Sequence, residues 1–214
     1  MKIINSIFEK SSKDIGQCPN NKLPEFALVG RSNVGKSSLI NTLLNNKSIA
    51  KISSKPGKTL LINHFRINDK FYIVDLPGYG YATISKKIKE DIKIMHKSYF
   101  QSRKELFYTL LLIDIRHEIQ QNDLDFMEFL NSNYCPFIII FTKSDKLKVI
   151  DLDKRLEILK KQLSDYWEDF PKMIITSSKN KKGIDEIHRF IESSLKDYIT
   201  VSYTHLTLPT TRGG

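Results

Sequence analysis

The stretch Gly30-Arg31-Ser32-Asn33-Val34-Gly35-Lys36-Ser37 decides the fold. It matches G-x-x-x-x-G-K-[ST], a pattern that composition alone would place in roughly one chain in a hundred of this length. Its surroundings are the ones the pattern needs. Glu25 to Val29 (EFALV) is a short, mostly apolar strand-like run that stops at Gly30. Lys36 to Leu44 then carries Leu39, Ile40, Leu43 and Leu44 at helical spacing. Glycines between a strand and a helix let the backbone curl, so that successive N–H groups face a phosphate, and the helix N-terminus adds a positive dipole end. Lys36 is placed to reach the β- and γ-phosphates, and the Ser37 hydroxyl to ligate magnesium. Gly30 through Ser37 are therefore candidate nucleotide-binding residues, and Lys36 is also a candidate for catalysis.

Outward from this loop the pattern alternates. Residues 1–24 read as a polar lead-in ending at Pro24, and residues 45–61, with Pro56-Gly57, read as a loop. Ile62 to Ile67 and Phe71 to Leu76 are strand-like runs separated by Asn68, Asp69 and Lys70, which suits a hairpin. Then come a helix over 84–103, a strand over 106–115, a helix over 122–130 and a strand over 137–141. A helix over 152–166, a strand over 173–176 and a helix over 184–195 complete the series. Short apolar strands alternating with amphipathic helices predict an α/β domain over 25–200, with a six-stranded, mostly parallel sheet covered by helices on both faces. The hairpin is the one antiparallel element expected. The last stretch, VSYTHLTLPTTRGG (201–214), has neither lysine nor acid and reads as a non-native or disordered tail.

Three further segments belong with the first. Asp75-Leu76-Pro77-Gly78 ends the strand FYIVD. An aspartate there can hold the hydration shell of magnesium, and the Gly78 N–H can sense a γ-phosphate. Thr142-Lys143-Ser144-Asp145 follows the strand FIIIF. Asp145 would accept from the ring N–H and exocyclic amine of guanine, while the Lys143 stem packs along the base. Adenine offers an acceptor where guanine has the ring donor, so this carboxylate would reject ATP. Thr142 stands where Asn is the commoner residue and can make fewer hydrogen bonds. Thr176-Ser177-Ser178, after the last strand, would offer a backbone N–H to the guanine oxygen. Between the first loop and Asp75 lies Ser53-Ser54-Lys55-Pro56-Gly57-Lys58-Thr59, where Thr59 is the candidate second magnesium ligand, with Ser53 and Ser54 as alternatives.

Composition bounds the partners. The 214 residues are 40% hydrophobic and 27% charged, ordinary for one globular domain. No apolar run reaches the ~18 residues that would span a bilayer, and the N-terminus MKIINSIFEKSSKD has no export-signal core. Cys18 and Cys135 have no metal-ligand spacing, so a cytoplasmic location without stable membrane association is expected. Thirty-four Lys and Arg against twenty-four Asp and Glu leave a net charge of +10. That surplus favours polyanions (nucleic acid, nucleotide phosphates or an anionic membrane surface), unless it reflects only a lysine-rich proteome.

The motifs occur in the order of a translation-factor-like GTPase. Within that class GRSNVGKSSLIN, SSKPGKT, VDLPGYGYA, IDIRH (113–117) and FTKSDKL closely resemble the EngB family of bacterial GTPases, over about Pro24 to Leu195. The resemblance implies a Ras-like domain that binds guanine nucleotide with magnesium. It further implies a role in assembling the large ribosomal subunit and a link to normal septation. It also brings Gly57, Lys58, Leu60 and Leu61 into the nucleotide-binding set around Thr59, with Leu60 where the family usually has Gln. A monomer is expected.

Tyr79 occupies the position after the D-x-x-G glycine, where many small GTPases carry a water-positioning Gln. A phenol cannot both accept from water and orient it as an amide does, so intrinsic hydrolysis should be slow, with a partner or cation supplying the missing group. Asn33 is one candidate, because similar GTPases with Asn there ligate potassium. The alternative is that Asn33 only tolerates a tight turn. His117 is better read as structural, at the end of a strand, than as a general base. In the helix after Tyr79, Ile84, Ile88, Ile92, Met95 and Tyr99 share one face while Lys86, Lys89, Lys93, Lys97 and Lys104 gather on another. That basic face suits ribosomal RNA phosphates or simply solvent. Two rival functions stay open: an RNA-modification or metal-handling GTPase, and a regulatory GTP-binding module with little hydrolysis acting on division or membrane proteins.

Overall fold

The computed structural model describes residues 1–46, 48–50, 61–80 and 84–206. Among the described residues the sheet has seven strands: β1 (Ser6–Ser12), β2 (Glu25–Gly30), β3 (Ile62–Ile67), β4 (Phe71–Asp75), β5 (Leu106–Asp114), β6 (Phe137–Thr142) and β7 (Met173–Ile175). They lie in the order β1-β3-β4-β2-β5-β6-β7. From β4 across to β7 neighbouring strands run parallel, whereas β3 is antiparallel to both β1 and β4.

Six strands were expected, and the seventh is β1, inside what reads as a polar lead-in. The reason is its place at the sheet edge. Its side chains are mostly exposed, Phe8 to 49%, so no apolar alternation marks it. Pairing with β3, register shift between Phe8 and Lys10 included, rests on main-chain bonds, with the Phe8–Phe65, Glu9–Arg66 and Ser11–Asn63 side-chain contacts added at the surface.

Helices α1 (Lys36–Leu43), α2 (Lys86–Ser102), α3 (Gln121–Ser132), α4 (Val149–Ser164) and α5 (Ile184–Leu206) cover the sheet. The last runs well past the expected end at Leu195. Strand alternation splits the core in two. Ala27 and Val29 of β2 join Leu111, Ile113, Ile139 and Phe141 under Tyr99 and Phe100 of α2, Met127 and Leu130 of α3, and Leu159 and Leu163 of α4. Phe26 and Leu28 face the other way, with Leu110, Leu112, Ile138 and Ile140, under Leu39, Ile40 and Leu43 of α1 and Ile187 and Ile191 of α5. Helices therefore lie on both faces, and β2 is buried at every residue, so after Glu25 it reads as a continuous apolar run from Phe26 to Val29.

One charge is sealed in this core. Glu25, the first residue of β2, is fully buried and accepts from Tyr99 Oη at 2.6 Å and from Arg103 Nη2 at 2.5 Å, with His64 Nε2 at 3.1 Å. Burial alone would raise its pKa, but the bonds from His64 and Arg103 outweigh it and hold the carboxyl below its ordinary value. Arg103 also donates to Pro19 O, tying the lead-in to α2. This network sits at the N-terminal ends of the parallel strands and leaves their C-terminal ends for the site.

Candidate nucleotide site

At the C-terminal ends of β2, β4, β5, β6 and β7, five segments converge. Gly30 ends β2 where a Cβ would lie 2.6 Å from the Leu112 carbonyl oxygen, so only glycine lets the loop leave the sheet there. The chain then curls through left-handed conformations at Asn33 (φ 62°) and Gly35 (φ 102°). Gly35 is the N-cap of α1 and supplies no side-chain hydrogen bond, so the first-turn N–H groups remain for an anion. Lys36, in that turn, pairs with the Asp75 carboxylate at the end of β4. Ser37, Ser32 and Arg31 are partly buried around the loop, and Val34 is buried beneath it.

The Asp75-Leu76-Pro77-Gly78 segment is stitched to this loop by main-chain bonds. Tyr79 N donates to Gly30 O and Ser32 N to Tyr79 O, each at 3.2 Å. Leu76, Pro77 and Gly78 are all buried. The Tyr79 ring stacks on Phe126 of α3 with centroids 4.6 Å apart, and its hydroxyl donates to Asp123 at 2.9 Å. Burial, with the donors on Asp123 insufficient to offset it, raises that carboxyl above its ordinary value. The phenol is thus committed to α3. Asp123 and His96 escaped the sequence reading. His96 lies four residues after Ile92 on the apolar face of α2, and a polar residue on that stripe was the signal available.

His96 is buried and its Nε2 donates to Pro77 O at 2.8 Å, anchoring α2 to the loop after β4. Burial disfavours the imidazolium and takes its pKa from 6.5 down to about 4. An unfolded chain takes up this proton near 6.5, so the neutral ring's contribution is complete above that pH and is lost as pH falls toward 4. We expect acidification through this window to cost about 3 kcal/mol of stability from this group. Urea midpoints measured between pH 7 and 4.5 should fall less steeply for His96→Gln; equal slopes would assign the acid sensitivity elsewhere.

Thr142 and its successors form the opposite wall. Thr142 Oγ1 donates to Val34 O at 2.7 Å, so the shorter side chain still ties β6 to the phosphate loop. Lys143 is left-handed (φ 62°), and its Nζ donates to Asn33 O at 2.6 Å and meets Asp114 Oδ2 at 2.9 Å. Ser144 N donates to Thr176 O at 3.1 Å, which sets the turn carrying Asp145. Asp145 accepts from Ser177 Oγ at 2.6 Å, while Ser178 O accepts from Thr42 Oγ1 of α1 at 3.5 Å. Thr176 is buried and bonded to Phe141 O. Asp114 and Arg116 at the end of β5 complete the wall. His117 is exposed, and its main-chain N–H donates to Asp114 O in the turn after β5.

Ser37 and Asp75 are hard oxygen donors of the kind that magnesium takes, beside a loop built for phosphates, so the residues fit that ion. Gly57, Lys58, Thr59 and Leu60, with Ser53 and Ser54, lie outside the described residues; Leu61 is partly buried just before β3.

Parallel strands with helices on both faces, and a phosphate loop facing an Asp at the end of the neighbouring strand, define a P-loop GTPase domain of the Ras-like class. Residues 25–143 match the family model described as "50S ribosome-binding GTPase". The chain is 49% identical over 192 residues to the "Probable GTP-binding protein EngB" of Christiangramia forsetii, covering 90% of this chain and 97% of that one. It is 46% identical over 200 residues to the protein of that name from Porphyromonas gingivalis, covering 94% and 100%. This chain belongs to the EngB family of GTP-binding proteins and is a GTPase. Among solved structures, one described as "a probable GTP-binding protein engB" superposes with a TM-score of 0.60 at 26% identity, over 81% of this chain and 99% of that one. Era in complex with MgGDPNP and nucleotides 1506–1542 of 16S ribosomal RNA gives 0.61 at 25%, over 83% of this chain and 57% of that chain.

Proposed function

We propose that this GTPase is a nucleotide-controlled switch in assembly of the bacterial large ribosomal subunit, with an effect on septation through that role. The observation carrying the reading is the stitching of Tyr79 to Gly30 and Ser32, which makes the loop after Asp75 and the phosphate loop one mechanical unit. A γ-phosphate held by Gly78 and Thr59 would add a restraint on the Gly78-Tyr79 end of this unit, and its loss would lift that restraint. Ser37 and Thr59 would hold magnesium, and Asn33 a potassium ion; Asn33 is exposed at the loop's crest, where its left-handed backbone serves the turn as well. Tyr79's commitment to Asp123 supports slow intrinsic hydrolysis, timed by a partner.

The family description and the charge both favour a ribosomal partner in the cytoplasm. Lys86, Lys89, Lys93 and Lys97 are exposed while Ile92 and Tyr99 are buried against the core, so α2 turns its basic face outward, and Lys104, just past the helix end, is exposed as well. Each lysine that neutralises an RNA phosphate steepens the salt dependence of binding by about one logarithmic unit per decade of salt. The test is co-sedimentation of the monomeric protein with large-subunit precursors, in GTP-analogue and GDP forms, across graded NaCl. We expect the GTP-analogue form to pellet, weakening with salt, and a Lys89/Lys93/Lys97→Ala variant to lose most of that dependence. Identical pelleting in both nucleotide states would favour a module acting on division or membrane proteins.

A further inference from the structure

Four charged side chains crowd the base end of the site: Asp114, Arg116, Lys143 and Asp145. The arrangement resting on Asp114 is fully made. Arg116 grips this carboxylate in a fork, Nε to Oδ1 at 2.9 Å and Nη2 to Oδ2 at 2.8 Å, and its main-chain N–H adds a third bond to Oδ1 at 3.1 Å. Arg155 of α4 donates to the Arg116 carbonyl at 3.0 Å, fixing the fork from behind. Oδ2 is shared with Lys143 Nζ, whose other bond goes to Asn33 O. A continuous line of contacts thus runs from α4 through β5 to the phosphate loop.

We propose that Asp114 is a positioning residue for guanine recognition: it holds Lys143 across the phosphate loop and keeps both nearby cations away from Asp145. The inference rests on the base-site reading above. Lys143 has a left-handed backbone, unfavourable for a side-chain-bearing residue and retained only where its surroundings impose it. Its ammonium is clamped on two sides, which stretches the aliphatic stem over the loop as a flat support for a base. Without the Asp114 carboxylate, Lys143 loses its ion partner, and Arg116 is left with the charge of Asp145, which it already feels. A neutralised Asp145 would no longer be free to accept from the guanine donors. Burial alone would raise Asp114, but the bonds from Arg116 and Lys143 hold it down at about 2, so this anion persists at any working pH.

The test uses full-length protein and four variants: Asp114→Asn, Asp114→Glu, Lys143→Gln and the Asp114→Asn/Lys143→Gln double. Affinities for fluorescent GDP, ADP and inorganic pyrophosphate are measured in each. Asp114→Asn should weaken GDP roughly tenfold, the loss of one charge-assisted hydrogen bond, and leave pyrophosphate within twofold. Asp114→Glu, with its charge one methylene further out, should fall between. On the Lys143→Gln background Asp114→Asn should add no more than about twofold, since residues acting through one contact do not add. The proposal is overturned by GDP affinity unchanged in Asp114→Asn, by equal loss for pyrophosphate, or by full additivity with Lys143→Gln. A wild type without preference for GDP over ADP would instead sink the base-site reading, and the proposal with it.

Discussion

Asp145→Asn should lose guanine nucleotides and gain xanthine nucleotides. Guanine presents two donors on one edge, the ring N–H and the exocyclic amine, and a carboxylate accepts both. An asparagine keeps one acceptor and turns an NH₂ toward the amine, so one charge-assisted bond becomes a donor–donor clash. Losing such a bond and leaving a donor unpaired costs about 3 kcal/mol, on the order of a hundredfold in affinity. Xanthine carries a carbonyl where guanine has the amine, so the same amide regains two bonds with it. The local structure should survive, because Ser177 Oγ can still donate to the amide oxygen at position 145, and the turn is set by Ser144 N on Thr176 O. Competition of GDP, XDP and ADP against a fluorescent nucleotide reads the result. Unchanged GDP binding would mean that Thr142 to Asp145 is only a turn.

The legible parts of this site were those whose chemistry is local. A phosphate loop needs glycines, a lysine and a hydroxyl at fixed offsets, because the main chain itself does the binding. Gly30, Gly35 and Lys36 therefore announce themselves, and the left-handed Asn33 and Gly35 are the turn that this spacing dictates. The β4, β6 and β7 termini were legible for the same reason, as short strands followed by polar motifs. What escaped depends on contacts between residues distant in sequence. Lys143 meets Asp114 because parallel strands bring their C-terminal ends together, and Tyr79 meets Asp123 because α3 packs against the loop after β4. IDIRH carried the resemblance, yet nothing in its five residues says that the aspartate faces Lys143. β1 escaped because an edge strand needs main-chain partners and no buried face.

Lys36→Ala should abolish most hydrolysis while leaving the fold in place. Its ammonium lies in the first turn of α1 against Asp75, and both side chains are at most 15% exposed, so charges there act through little water. When the β–γ bond breaks, negative charge grows on the bridging and γ-oxygens. A cation fixed beforehand at that spot stabilises the transition state more than the ground state. Removing one such group should cost hydrolysis about 100- to 1000-fold, with GTP affinity falling more than GDP affinity because the γ-phosphate loses its cation and faces Asp75 unshielded. Lys36→Arg should not rescue it: a planar guanidinium is longer and cannot take the ammonium's place between a tight loop and a carboxylate. Asp75→Asn removes the repulsion instead, and should weaken the magnesium dependence of GTP binding that Lys36→Ala leaves intact. Single-turnover phosphate release, with circular dichroism as the check on folding, separates these variants. Release within tenfold of wild type for Lys36→Ala would mean that the growing charge is met by another group.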